Sequence, residues 1–118
     1  MAKKLRSRHG WATQEILELF EAIWSLKNPG ELEDFMRDLC TLQELETLAH
    51  RWQVAKLVDQ GLPYLEIAQR TGASTATVTR VANWLRNGEG GYEVALMRTV
   101  SGSPSLSRGV SVTRRSSS

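Results

Sequence analysis

YLEIAQRTGASTATVTRVAN, residues Tyr64–Asn83, decides the fold of this chain. It reads as two short helices joined by a tight turn. Ile67 and Ala68 face inward on the first helix, and Gly72 supplies the residue without a β-carbon that such a turn needs. Val78 and Val81 anchor the second. That spacing marks a helix-turn-helix, whose second helix is shaped to enter the major groove of DNA.

The first motif helix is expected over Tyr64–Thr71 and the second over Thr75–Arg86, with Ser74 as its N-cap. Val78, Val81, Ala82 and Leu85 share one face, which should pack on a scaffold. The opposite face shows Ala76, Thr79, Arg80 and Asn83, with Thr75 and Thr77 at the helix start that normally points into the groove. These types suit base reading. Arg bonds bidentately to guanine, Asn to adenine, and Thr offers a hydroxyl to a base edge and a methyl to thymine. Free amides at the helix start, next to Ser74, favour a phosphate oxygen. Arg70 and Arg86 are further candidates for phosphate contact. Hydroxyl residues also cap and solubilise helix starts, so each single Thr or Ser admits that plainer role.

Working outward, Leu42–Gln60 reads as a scaffold helix. Thr41 and Glu44 form a capping box, Leu45, Leu48, Ala49, Trp52, Ala55 and Val58 form an apolar stripe, and Gly61 takes the C′ position. Glu31–Leu39 is a short helix with Leu32, Phe35, Met36 and Leu39 on one face. Asn28-Pro29-Gly30 ends the helix before it, expected over Thr13–Lys27. That first helix has one polar stripe, Gln14, Glu18, Glu21 and Ser25, and is otherwise apolar. So wide an apolar face is too much for one neighbouring helix to cover, which points to an intertwined dimer. A last helix is expected over Tyr92–Thr99. No strand pattern or internal repeat stands out, so the fold class is all-α with about six helices. Residues 1–10 look like a flexible basic arm, 11–99 a single domain, and 100–118 a Ser- and Gly-rich tail expected to be disordered.

The 118 residues are 41% hydrophobic and 24% charged, an ordinary globular composition. No apolar run suits a bilayer or a signal-peptide core, and the lone Cys40 excludes an intrachain disulfide and reads as a small buried hydrophobe. A cytoplasmic, nucleoid-associated protein is expected. Net charge is only +2, but it is unevenly spread. Residues 1–10 carry four basic groups and no acid, residues 11–66 four basic and eleven acidic, and residues 67–118 seven basic and two acidic. A positive motif and tails on a negative body would orient the molecule on a polyanion.

LAHRWQVAKLVDQGLPYLEIAQRTGASTATVTRVANWLRNGEGGYEVAL resembles the YerC/YecD family of Trp-repressor-like proteins, with TGASTATVTRV and GEGGY the most specific matches and DLCTLQELETLAHRW agreeing ahead of them. The resemblance covers residues 12–99. It implies a homodimer with interlocked N-terminal helices that binds double-stranded DNA through paired helix-turn-helix units. The Trp repressor itself binds tryptophan beside its recognition helix, at an Arg followed by Gly and, three further on, Ser. Here Arg80 is followed by Val81, and Trp84 takes the Ser position. The scaffold Arg that holds the ligand carboxylate falls at His50 in an ungapped alignment. The resemblance therefore implies a corepressor pocket occluded by Val81 and Trp84, with His50 beside it, and no tryptophan effector. The family's basic residues on the first motif helix are also missing. Leu65, Glu66 and Gln69 stand there with Arg70, so phosphate attraction is expected from Arg80, Arg86 and the arm residues Lys3, Lys4, Arg6 and Arg8.

Other chemistry has little support. His9 and His50 lack the convergent partners of a metal site, Gly88, Gly90 and Gly91 do not follow a strand, and Glu15, Glu18 and Glu21 lie along a solvated helix flank. No catalytic set or cofactor site is apparent. The expectation is a dimeric, sequence-specific transcriptional regulator rather than an enzyme. The other reading left open is a dimeric protein-interaction module with only non-specific DNA affinity, since fold alone does not fix function.

Overall fold

The computed structural model describes residues 6–101. Among them lie six α-helices and no strand: α1 Gln14–Trp24, α2 Pro29–Leu39, α3 Leu42–Asp59, α4 Tyr64–Thr71, α5 Thr75–Asn87 and α6 Gly91–Leu96, followed by a π-helical turn, Met97–Ser101. Lys3 and Lys4 of the expected arm, and nearly all of the expected tail, lie outside the described residues. The chain divides within α3, between Glu46 and Thr47, into two compact units.

In the first unit each helix start is set by a side chain that satisfies an orphan amide. Thr13 Oγ1 accepts from the Ile16 amide at 3.2 Å at the head of α1. α1 stops at Trp24, short of the expected Lys27, because the Ser25 hydroxyl donates to the Ala22 carbonyl at 2.7 Å and tightens the last turn. Asn28-Pro29 does more than end α1: it begins α2. Asn28 Oδ1 accepts from the Glu31 amide at 2.9 Å, Pro29 takes the first helical position, and Glu31 Oε1 reaches back to the Lys27 amide at 2.8 Å. The capping box of α3 forms as its sequence implies, with the Thr41 amide donating to Glu44 Oε1 at 2.8 Å and the Glu44 amide to Thr41 Oγ1 at 3.1 Å.

No residue of α1 or α2 is buried in the single chain, and Trp11, Trp24 and Leu39 are about half exposed, at 50%, 54% and 47%. Cys40 is half-buried rather than buried. It caps α2, where its carbonyl accepts from Arg37 Nη1 at 3.0 Å. Ahead of α1 the backbone turns, with the His9 amide donating to Ser7 Oγ at 2.8 Å. The His9 ring stacks on Trp11, with centroids 5.3 Å apart, and Trp11 meets Phe20 edge-on at 6.4 Å.

The second unit holds the core. Val54 and Ala55 of α3, Ile67 of α4, and Val78 and Val81 of α5 are all fully buried against one another. Trp52, Leu57, Val58, Leu62 and Tyr92 close over them. The expected α3 stripe is thus only part of the packed surface. Val54 and Leu57 join it, while Leu48 and Ala49 stay exposed. Tyr92 lies nearly parallel to Trp52, at 6.3 Å and 14°, and seats α6 on α3. Replacing Ile67 by Ala should cost about 2–5 kcal/mol of stability, read from urea unfolding, because it opens a cavity between α4 and the other two core helices.

Candidate nucleic-acid interface

The turn between α4 and α5 is braced by local hydrogen bonds. Gly72 adopts φ +81°, where a β-carbon is disfavoured, and its amide closes α4 on the Ala68 carbonyl at 2.9 Å. The Thr71 hydroxyl donates to the Ile67 carbonyl at 2.8 Å and accepts from the Ala73 amide at 3.1 Å. Ser74 is extended, and its Oγ accepts from the Thr77 amide at 3.0 Å and donates to Thr77 Oγ1 at 3.1 Å. The start of α5 is therefore held at a set angle to α4.

α5 has two unlike faces. Val78, Val81 and Ala82 are fully buried, and Leu85 is half-buried beside them. Thr75, Ala76, Thr79, Arg80 and Asn83 are exposed. Of the nine residues assigned to DNA from sequence, these five share the outward side, and the other four are engaged in the fold. Ser74 and Thr77 are tied to each other, and Thr77 is half-buried. Arg70 faces Glu66 at 3.6 Å, one turn back on α4, which offsets its charge. Arg86 Nη1 donates to the Tyr64 hydroxyl at 3.2 Å. Asn87 Nδ2 donates to Asn83 Oδ1 at 2.9 Å, which turns the Asn83 NH₂ donors and one oxygen lone pair outward. Arg80 has no hydrogen-bond or ion-pair partner among the described residues and stands exposed on that face.

Beside α5 an open concavity of about 200 Å³ is bordered by Thr47, His50, Arg51, Ala73, Thr77, Arg80 and Trp84. Trp84 and His50 border it as a pair, whereas Val81 lies wholly in the core and not on its wall. Arg51 was not singled out from sequence. Its guanidinium lies 5.5 Å from the Trp84 ring centroid, in cation–π range. His50 and Arg51 both border the concavity beside α5, and of the two it is Arg51 that has a ring contact on that helix, with Trp84. Among the described residues there is no group of three His, Cys, Asp or Glu side chains that could hold a metal ion, and no helix long and apolar enough to cross a membrane.

An all-helical domain that presents a capped, polar-faced second helix from a buried three-helix core is a helix-turn-helix domain. Comparison with known proteins narrows this further. The family model described as Trp repressor protein matches residues 14–100. The chain is 45% identical over 85 residues to the uncharacterised protein YerC of Bacillus subtilis strain 168, covering 72% of this chain and 82% of that one. A solved structure of a TrpR-like protein from Eubacterium eligens superposes with a TM-score of 0.69 at 45% identity, covering 73% of this chain and 89% of that one. A Trp operon repressor homologue of Chlamydia caviae is 35% identical over 81 residues, covering 68% of this chain and 75% of the homologue. The chain belongs to the Trp repressor family.

Burial raises the Tyr92 hydroxyl above its ordinary pKa, and the positive charge of Arg51 partly opposes the rise. The unfolded chain therefore loses this proton first. The stability that a protonated Tyr92 contributes is present below the ordinary tyrosine range, near pH 10, and is lost as pH rises through the folded value. Tyr92→Phe should remove that part of the alkaline fall in stability, measured by urea midpoints between about pH 8.5 and 11 against the unaltered chain.

Proposed function

We propose that this chain is a sequence-specific DNA-binding transcriptional regulator that acts as a homodimer and does not use tryptophan as corepressor. The observation that carries the reading is the outward face of α5, where Thr75, Ala76, Thr79, Arg80 and Asn83 are exposed directly opposite buried Val78, Val81 and Ala82. The family's character as one of DNA-binding regulators agrees with it. Arg80 is the unpaired cation of that face and suits the N7 and O6 acceptors of guanine. Asn83, with its amide oriented by Asn87, suits an adenine edge. The exposed amides at the start of α5 favour a phosphate on the flank.

Pairing has its own support. α1 and α2 bury no residue in the single chain, although Trp11, Phe20, Trp24, Leu32 and Leu39 are large and apolar. Covering such a face with a second copy would remove it from water at about 25 cal/mol per Å². A twofold pair would then present two copies of α5 to half-sites about 34–36 Å apart, so the operator should be a near-palindrome. The absence of a tryptophan effector is supported by Trp84, whose own indole stands at the concavity beside Arg80 and against Arg51.

Selection of bound duplexes from a random pool should enrich an inverted repeat. Arg80→Ala should reduce affinity for the enriched duplex by one base contact, about 1–3 kcal/mol, and affinity for random-sequence DNA by less, while circular dichroism stays that of the unaltered chain. No loss on any sequence would instead favour the protein-interaction module. Calorimetric titration with tryptophan should show no binding in the micromolar range, and micromolar binding would overturn the effector-free reading.

A further inference from the structure

α5 is tied to α3 at two depths. The inner tie is apolar: Val78 and Val81 against Val54 and Ala55, all fully buried. This seam fixes which face of α5 turns inward. The outer tie is at the rim, where the Arg51 guanidinium of α3 lies 5.5 Å from the Trp84 ring centroid of α5. Trp84 stands four residues after Arg80, so the two side chains are neighbours on the same flank of α5. Both border the concavity that Arg51 also borders.

This placement has an electrostatic consequence. Arg51 and Arg80 are like charges on the wall of one small concavity. The negative face of the indole gives Arg51 a partner of its own. Tyr92 also feels the Arg51 charge, and Trp52, the next residue along α3, stacks on Tyr92. Arg51 is thus partnered by the Trp84 ring, and Arg80 is left exposed with no hydrogen-bond or ion-pair partner among the described residues.

We propose that Arg51 and Trp84 form a built-in strut between the scaffold and recognition helices, and that both are positioning residues for selective DNA reading by Arg80 and Asn83. The strut rests on the DNA-reading assignment of α5. It supplies from the chain's own side chains the fixed angle that α5 needs to place two neighbouring side chains on base edges, where a small misplacement forfeits a bidentate contact.

A double-mutant cycle on the enriched duplex tests it. Arg51→Gln and Trp84→Ala should each weaken binding about two- to fivefold, as expected for a half-exposed cation–π pair. The double variant should be no weaker than the weaker single variant, and Trp84→Phe should retain most of the affinity. The salt dependence on random-sequence DNA should be unchanged in Arg51→Gln. A double variant that loses the product of the two single effects overturns the strut. So does a log–log salt slope that falls by about 0.9 in Arg51→Gln, which would make Arg51 a phosphate contact. The unaltered chain gives a second readout that needs no variant to fold: in its NMR spectrum the Arg51 Hδ protons should be shifted upfield by the indole. Failure of the unaltered chain to enrich any sequence overturns the regulator reading. Enrichment with ordinary Arg51 shifts overturns the strut alone.

Discussion

The burial of Val78 and Val81 of α5 against Val54, Ala55 and Ile67 is the contact on which the rest of the second unit depends. Five fully buried aliphatic side chains from three helices leave α5 one rotational setting. A turn in either direction would expose a valine and bury a threonine or an arginine without a partner, and an unpaired buried charge is the more costly error. The polar ridge of Thr75, Ala76, Thr79, Arg80 and Asn83 is therefore a by-product of the apolar seam. The same packing that stabilises the unit also aims its only partnerless exposed arginine on α5 outward.

Around that seam the basic residues divide by what they already hold. Arg70 is offset by Glu66, Arg86 is bonded to Tyr64, and Arg51 lies against Trp84. Exposed ion pairs and single hydrogen bonds of this kind are weak, so they bias these side chains without locking them. The bias nevertheless separates Arg51, Arg70 and Arg86, each with a partner, from Arg80, which has no hydrogen-bond or ion-pair partner among the described residues. Formal charge would treat these four alike. Geometry separates them.

Much of this was legible in the sequence where the signal is local. The limits of α4, the left-handed Gly72, the Ser74 cap and the Thr41–Glu44 box each follow from two to four neighbouring residues whose chemistry permits one arrangement. The two faces of α5 were legible because helical periodicity alone separates Val78 and Val81 from Thr79 and Arg80. Less was legible where a residue serves two purposes. Asn28-Pro29 reads as a helix stop, yet proline without an amide also suits the first position of the next helix, and α2 starts there. Val54 lies off the simple stripe because α3 is packed on more than one side within the second unit. The Arg51–Trp84 contact joins residues far apart in sequence and depends on the length of the turn after α3, so no local pattern announces it.

The central claim is that the exposed ridge of α5 meets base edges in the major groove of two successive turns of DNA. Dimethyl sulfate protection of guanine N7 on the enriched duplex measures this directly, because N7 lies in the major groove. The account predicts two patches of protection centred about one helical turn apart, each weakened in Arg80→Ala. Protection spread evenly along the duplex, or a single patch indifferent to Arg80, would contradict it.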